Sequence, residues 1–154
     1  MRIAQAVDEY LAHLASEQRS PHTVNAYRRD LTAFIAFARR RRVATVTAVT
    51  PQLLQAFIAD RCVTHDANGC RRAPASINRY RVAIKALFAY LEHRWLVPRN
   101  PTAILRCQRH RAIPPEVLSE GEVQQVLTFR YQGRTAARDR ALVAFMLLTG
   151  TRLS

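Results

Sequence analysis

Apolar residues recur along this chain at the spacing of one helix face, block after block, with polar turns between the blocks. Ile3, Val7, Tyr10, Leu11 and Leu14 form one stripe over residues 1–17, as an amphipathic helix requires. Ser20-Pro21 then marks a second helix start: serine accepts from N–H groups of the first turn, and proline already holds a helical φ. The stripe that follows is Val24, Tyr27, Leu31, Phe34, Ile35 and Ala38, ending in Arg39-Arg40-Arg41-Arg42. Cations there favour the negative end of the helix dipole. Thr50-Pro51 repeats the start signal and predicts a third helix to about His65, with Leu53, Leu54, Phe57, Ile58 and Cys62 inward. After the polar loop 66–69, Ile77, Tyr80, Ile84, Leu87, Phe88 and Leu91 predict a fourth helix from about Ala75 to His93. No stretch alternates as a strand would. The pattern predicts an all-α fold, a four-helix bundle with short turns.

The texture changes at residues 98–115, where Pro98, Pro101, Pro114 and Pro115 stand among Arg106, Arg109, His110 and Arg111. Proline removes donors and disfavours helix before it, so this stretch reads as a basic linker. Ser119-Glu120-Gly121-Glu122 is a capping box that opens a helix to about Phe129. A last helix runs from about Thr135 to Thr149, with Gly150 as a left-handed stop. The expected organisation is therefore a helical domain at 1–97, a linker at 98–115, and the first helices of a second unit at 116–154. An exposed apolar surface is expected around Leu142, Phe145 and Leu148.

Charge narrows the partners. The chain carries 24 Lys+Arg against 11 Asp+Glu, a formal net charge of +13 at pH 7, and Lys85 is its only lysine. With 49% hydrophobic residues, this is a folded basic domain rather than a basic tail, and polyanionic phosphate backbones are its natural partners. The N-terminus has acids where a signal peptide has its apolar core, and the longest apolar run, Ala141 to Leu148, is far short of a membrane span. Three cysteines, Cys62, Cys70 and Cys107, suit thiols in a reducing compartment better than a disulfide framework. A cytoplasmic protein with no membrane partner is expected.

The candidate chemistry lies on the outward faces of the second and fourth predicted helices. Asn25, Arg28, Arg29, Thr32, Ala36 and Arg39 lie opposite the apolar stripe of the second helix. Asn78, Arg79, Val82, Lys85, Ala86 and Ala89 do so on the fourth, with Arg81 at the edge. Arginine reads guanine, asparagine reads adenine, and small residues permit close approach to a major groove. His22, Thr23, Arg71, Arg72 and Ser76 stand near helix starts, where phosphates are gripped. Each exposed arginine taken singly is ordinary; the combined surface points to double-stranded DNA. The spacing of Cys62, His65 and Cys70 lacks a fourth ligand in register, so no metal and no cofactor is expected. Trp95 reads as a hydrophobic plug closing the bundle end, with base stacking as the alternative.

The ending Thr149-Gly150-Thr151-Arg152, preceded by Arg138-Asp139-Arg140-Ala141-Leu142, resembles the first catalytic-arginine motif of the tyrosine recombinases, the family of phage-type, Xer-type and integron integrases. Ser20, Thr23, Tyr27, Asp30, Leu31 and Phe34 resemble the second-helix pattern of its core-binding domain. Ile77-Asn78-Arg79 with Phe88 and Tyr90 resembles the fourth helix, and Asn100-Pro101 the exit. Pro115, Leu118, Ser119, Glu122 and Val123 resemble the entry to the catalytic domain. The resemblance implies a SAM-like core-binding bundle that clamps DNA, followed by a truncated start of the catalytic domain. It implies that Arg152 stabilises charge on a scissile phosphate, with other recombinase protomers as further partners. The family's downstream lysine, His-x-x-Arg and tyrosine nucleophile have no counterpart after Arg152. All five tyrosines (Tyr10, Tyr27, Tyr80, Tyr90 and Tyr131) precede it, and most sit at core spacing. The expectation is a DNA-binding recombinase fragment that is not an enzyme as it stands. A non-enzymatic DNA-binding regulator is the alternative, and a basic helical RNA binder is a third reading.

Overall fold

The computed structural model describes residues 1–107 and 117–151. Within them all regular structure is helical: α1 (Ile3–Ser16), α2 (Pro21–Arg40), α3 (Pro51–Ala59), α4 (Arg61–Thr64), α5 (Pro74–His93), α6 (Glu120–Thr128) and α7 (Ala136–Thr149). The chain divides into two units, Met1–Arg111 and Ala112–Ser154.

In the first unit the apolar stripes of α1, α2, α3 and α5 converge on one core. Phe57 is its hub and is fully buried. Its ring meets Phe34 at 5.2 Å, Phe37 at 5.4 Å and Tyr80 at 6.2 Å between centroids. Ser20 and Thr50 cap as their sequence predicts, accepting from the N–H groups of Thr23 and Leu53 at 3.2 Å. The 3₁₀ turn Pro101–Ile104 packs on α3 and α5 and follows Asn100, whose Oδ1 accepts from the Thr102 N–H at 3.0 Å. Val97, Thr102 and Leu105 are buried with the core of this unit.

The predicted third helix is in fact two. Asp60 leaves α3 with an extended backbone, ψ 150°, and caps α4 by accepting from the Cys62 N–H at 2.9 Å. A short acceptor side chain competes well with continued helix at such a position. Both oxygens of the same carboxylate accept from a single nitrogen of Arg40, its Nη2, at 3.1 Å. The backbone N–H of Cys62 and then its thiol and Arg40 hold the Asp60 carboxyl below the usual carboxylate range. Because the folded value is depressed, the linked stability is full above the unfolded pKa of about 3.9 and is lost as pH falls through the lower folded value. Asp60→Ala is therefore expected to cost about 1 kcal/mol at pH 7 and less at pH 3, below the unfolded pKa. Urea denaturation at the two pH values checks this; an equal loss at both removes the carboxylate from the account.

α1, α2 and α5 all end in the same way. The N–H groups of Arg19, Val43 and Leu96 bond back to the carbonyls of Leu14, Ala38 and Leu91, and those of Gln18, Arg42 and Trp95 to Ala15, Arg39 and Glu92. This is the Schellman stop, whose left-handed residue is ordinarily glycine. Here those residues are Gln18 (φ 56°), Arg42 (φ 59°) and Trp95 (φ 57°). A side chain in that region is strained, so Arg42→Gly is expected to raise stability by about 0.5–1 kcal/mol. A lower melting temperature for Arg42→Gly would show that the arginine side chain outweighs its backbone.

In the second unit Ser119 and Glu122 form the predicted capping box, with the Ser119 N–H donating to Glu122 at 2.7 Å. α7 stops at Gly150, φ 65°, whose N–H returns to the Met146 carbonyl. Leu142, Phe145 and Leu148 are exposed on α7 as expected.

Candidate nucleic-acid interface

α2 and α5 pack directly on each other, and one ion pair locks them. Asp30, facing inward from α2, is 2% exposed and accepts two hydrogen bonds at 2.9 Å from the Arg79 fork on α5. A planar guanidinium matched to a carboxylate in this way is oriented as well as bound. Those hydrogen bonds raise the arginine pKa further above its ordinary value. Arg79 and Arg72 each lie 5.8 Å from the Tyr80 ring, and Arg72 also donates to the His65 carbonyl at 2.8 Å. Two of the arginines expected to meet DNA are thus held by the fold itself. Arg81 donates to the Asn78 Oδ1 at 2.8 Å.

The remaining candidates divide by helix. On α2, His22, Asn25, Arg28 and Arg29 are exposed, and Thr23 is half-buried with its hydroxyl 2.9 Å from that of Ser20. On α5, Lys85 is exposed between Val82 and Ala89, and Ser76 is half-buried in the first turn. Arg71 is exposed just before it, and Ala73 supplies no side-chain cap to this helix. Among the described residues Arg28, Arg29, Arg71 and Lys85 enter no ion pair. The outward stripes of two adjacent helices therefore present unneutralised cations. Arg152 lies outside the described residues, as do Arg109, His110, Arg111, Pro114 and Pro115.

The sequence pattern described as the phage integrase N-terminal SAM-like domain matches residues 7–95. The chain belongs to that family. The match runs from α1 through the end of α5, so it covers both helices of the cationic surface and the Asp30–Arg79 lock between them. Among relatives, the chain is 32% identical to tyrosine recombinase XerC of Xylella fastidiosa over 99% of its own length. It is 32% identical to the protein of the same name from Pseudomonas fluorescens over 97%. It spans about half of each, 50% and 49%. The fold is also that of the N-terminal domain of a phage integrase/site-specific recombinase from Haloarcula marismortui, at a TM-score of 0.61 and 20% identity over 70% of this chain and 97% of that one.

Within this phage integrase domain the other expectations sort as follows. Tyr10 and Tyr80 are buried, and Tyr27 and Tyr90 are half-buried. Tyr10 sits 5.9 Å from Tyr27 and 5.3 Å from Tyr90, and burial pushes its phenol well above the usual tyrosine range. These rings are packing groups, as their spacing predicts. Cys62 is half-buried, and burial pushes its thiol up to about 11. His65 shares a hydrogen bond with the Thr64 hydroxyl at 2.9 Å. Trp95 is a correction. It does not plug the bundle but stands 92% exposed, because the left-handed stop turns its side chain away while Leu96 and Val97 close the end. Asp30 escaped the sequence reading as a buried group. Its only signal was an acid among apolar stripe residues.

Proposed function

We propose that the first unit is the DNA-binding module of a tyrosine site-specific recombinase, and that it seats duplex DNA on the outward faces of α2 and α5. The observation that carries this reading is the set of exposed, unneutralised cations, Arg28 and Arg29 on α2, Lys85 on α5 and Arg71 just before it, on adjacent helices of a phage integrase N-terminal domain. Arg28, Arg29, Arg71 and Lys85 supply phosphate contacts. His22, Thr23 and Ser76 add contacts at the helix starts, and Asn25, Asn78 and Arg81 are the base-reading candidates. Arg72 contributes positive potential from a fixed position, while Arg79, paired with Asp30, holds α5 against α2. Residues 1–97 form the DNA-binding domain, onto which the turn Pro101–Ile104 of the 98–115 linker packs, and 116–154 open the catalytic domain, with Arg152 on the scissile phosphate.

The whole protein exchanges strands between two DNA sites through a phosphotyrosine, acting with other protomers. The 154 residues by themselves bind without cleaving, because their tyrosines pack against neighbours and none follows Arg152. Binding to a labelled mixed-sequence duplex should weaken steeply with salt. A structured RNA should compete poorly, because its narrow major groove excludes a helix. Equal competition by the RNA, or affinity indifferent to salt, would sink this reading.

A further inference from the structure

Trp95 combines three properties that together fit an external partner for its side chain. Its backbone is left-handed, φ 57°, at a helix stop where glycine is the unstrained choice. Its indole is 92% exposed. Its neighbours include two cations: Arg94 and Arg99 are both exposed, as is His93. The single carboxylate of the stretch, Glu92, is occupied by Asn100, accepting from its backbone N–H at 3.2 Å and its side-chain amide at 3.3 Å. The two arginines outnumber that carboxylate, so the patch is a large aromatic ring in a net positive field. That combination fits a nucleic-acid strand, which offers phosphates to arginine and flat or apolar surface to an indole.

The position along α5 agrees. His93 continues the outward stripe of Val82, Lys85 and Ala89, and it stands eight residues, about 12 Å of helix rise, beyond Lys85. A B-form major groove is also about 12 Å wide. A duplex held at Lys85 therefore brings a backbone strand to the end of α5. We infer that Trp95, with Arg94 and Arg99, is a second DNA contact, its indole packing against sugar and base edges while the arginines take the flanking phosphates. This rests on the proposed DNA-binding reading and adds an anchor outside the α2–α5 stripes.

Trp95 is the only tryptophan in the chain, so its fluorescence reports on this site alone. The full 154-residue chain is titrated with a labelled mixed-sequence duplex of about 30 base pairs at low salt. Label anisotropy follows binding and tryptophan emission follows the indole. Emission should be quenched or blue-shifted in step with the anisotropy. In parallel, Trp95→Gly should melt about 3 °C higher, by relief of the backbone, yet bind the duplex about three- to tenfold more weakly. Stability and affinity then move in opposite directions, which a purely structural tryptophan does not produce. Anisotropy that rises with unchanged emission, or a Trp95→Gly chain that binds like the parent, overturns the inference and leaves the α2–α5 reading standing. An emission change on concentrating the protein without DNA overturns it in favour of a second copy of the chain. No rise in anisotropy at all removes the DNA-binding reading on which it depends.

Discussion

Replacing Arg79 with alanine is expected to destabilise the first unit by about 2–3 kcal/mol, lowering its melting temperature by about 10 °C or more. The cause is the residue left behind. Asp30 is 2% exposed and takes both of its strong hydrogen bonds from the Arg79 fork. Without it, a carboxylate stays buried against the α2–α5 contact with no cation to offset its lost hydration. The loss is not larger because the Arg79 side chain is itself 48% exposed, so water reaches the vacated site. The double variant Asp30→Leu/Arg79→Ala should recover much of the stability, since removing both charges removes the conflict. Arg79→Lys should recover little, because a point charge cannot span both carboxylate oxygens. Measured below its melting point, Arg79→Ala should bind duplex DNA within a few-fold of the parent. Unchanged melting with collapsed DNA affinity would reassign the guanidinium from the fold to the DNA.

The opposite profile is expected for Arg28→Glu/Arg29→Glu/Lys85→Glu. Among the described residues none of the three is ion-paired, and all are exposed on the outward faces of α2 and α5. Glutamate is a good helix former, so the melting temperature should stay within a few degrees of the parent. Duplex affinity at low salt should fall by about 100-fold or more. The slope of log affinity against log salt should shrink by about 3, near one unit for each phosphate no longer neutralised. Binding titrations at several salt concentrations check both numbers. A triple variant that keeps its affinity, with the same salt slope, would place the DNA on another surface. The two variants separate cations that hold the helices together from cations that face outward, a distinction invisible in net charge.

Much of this was legible in the residues. Helical periodicity marked α1, α2 and α5 almost to their ends, and Ser20-Pro21, Thr50-Pro51 and the Ser119–Glu122 box placed three helix starts. These signals are local: a cap or an apolar stripe acts within a few residues of itself, so it can be read without the fold. The break at Asp60 was also local, but two outcomes competed there, since the apolar stripe runs on to Cys62 while the aspartate favours a new cap.

What the chain by itself determined is an all-α bundle, the paired cationic stripes of α2 and α5, and the family those features serve. What only the tertiary structure decided is which charges are spent inside it. Asp30 and Arg79 are 49 residues apart, and nothing near either residue announces the other. Their pairing follows from the packing of α2 on α5, which buries one partner and leaves the other half in water. Trp95 changed roles for the same reason. A tryptophan after an apolar helix reads as core, but the stop that ends α5 points its side chain outward, and only the three-dimensional course of the chain sets that direction.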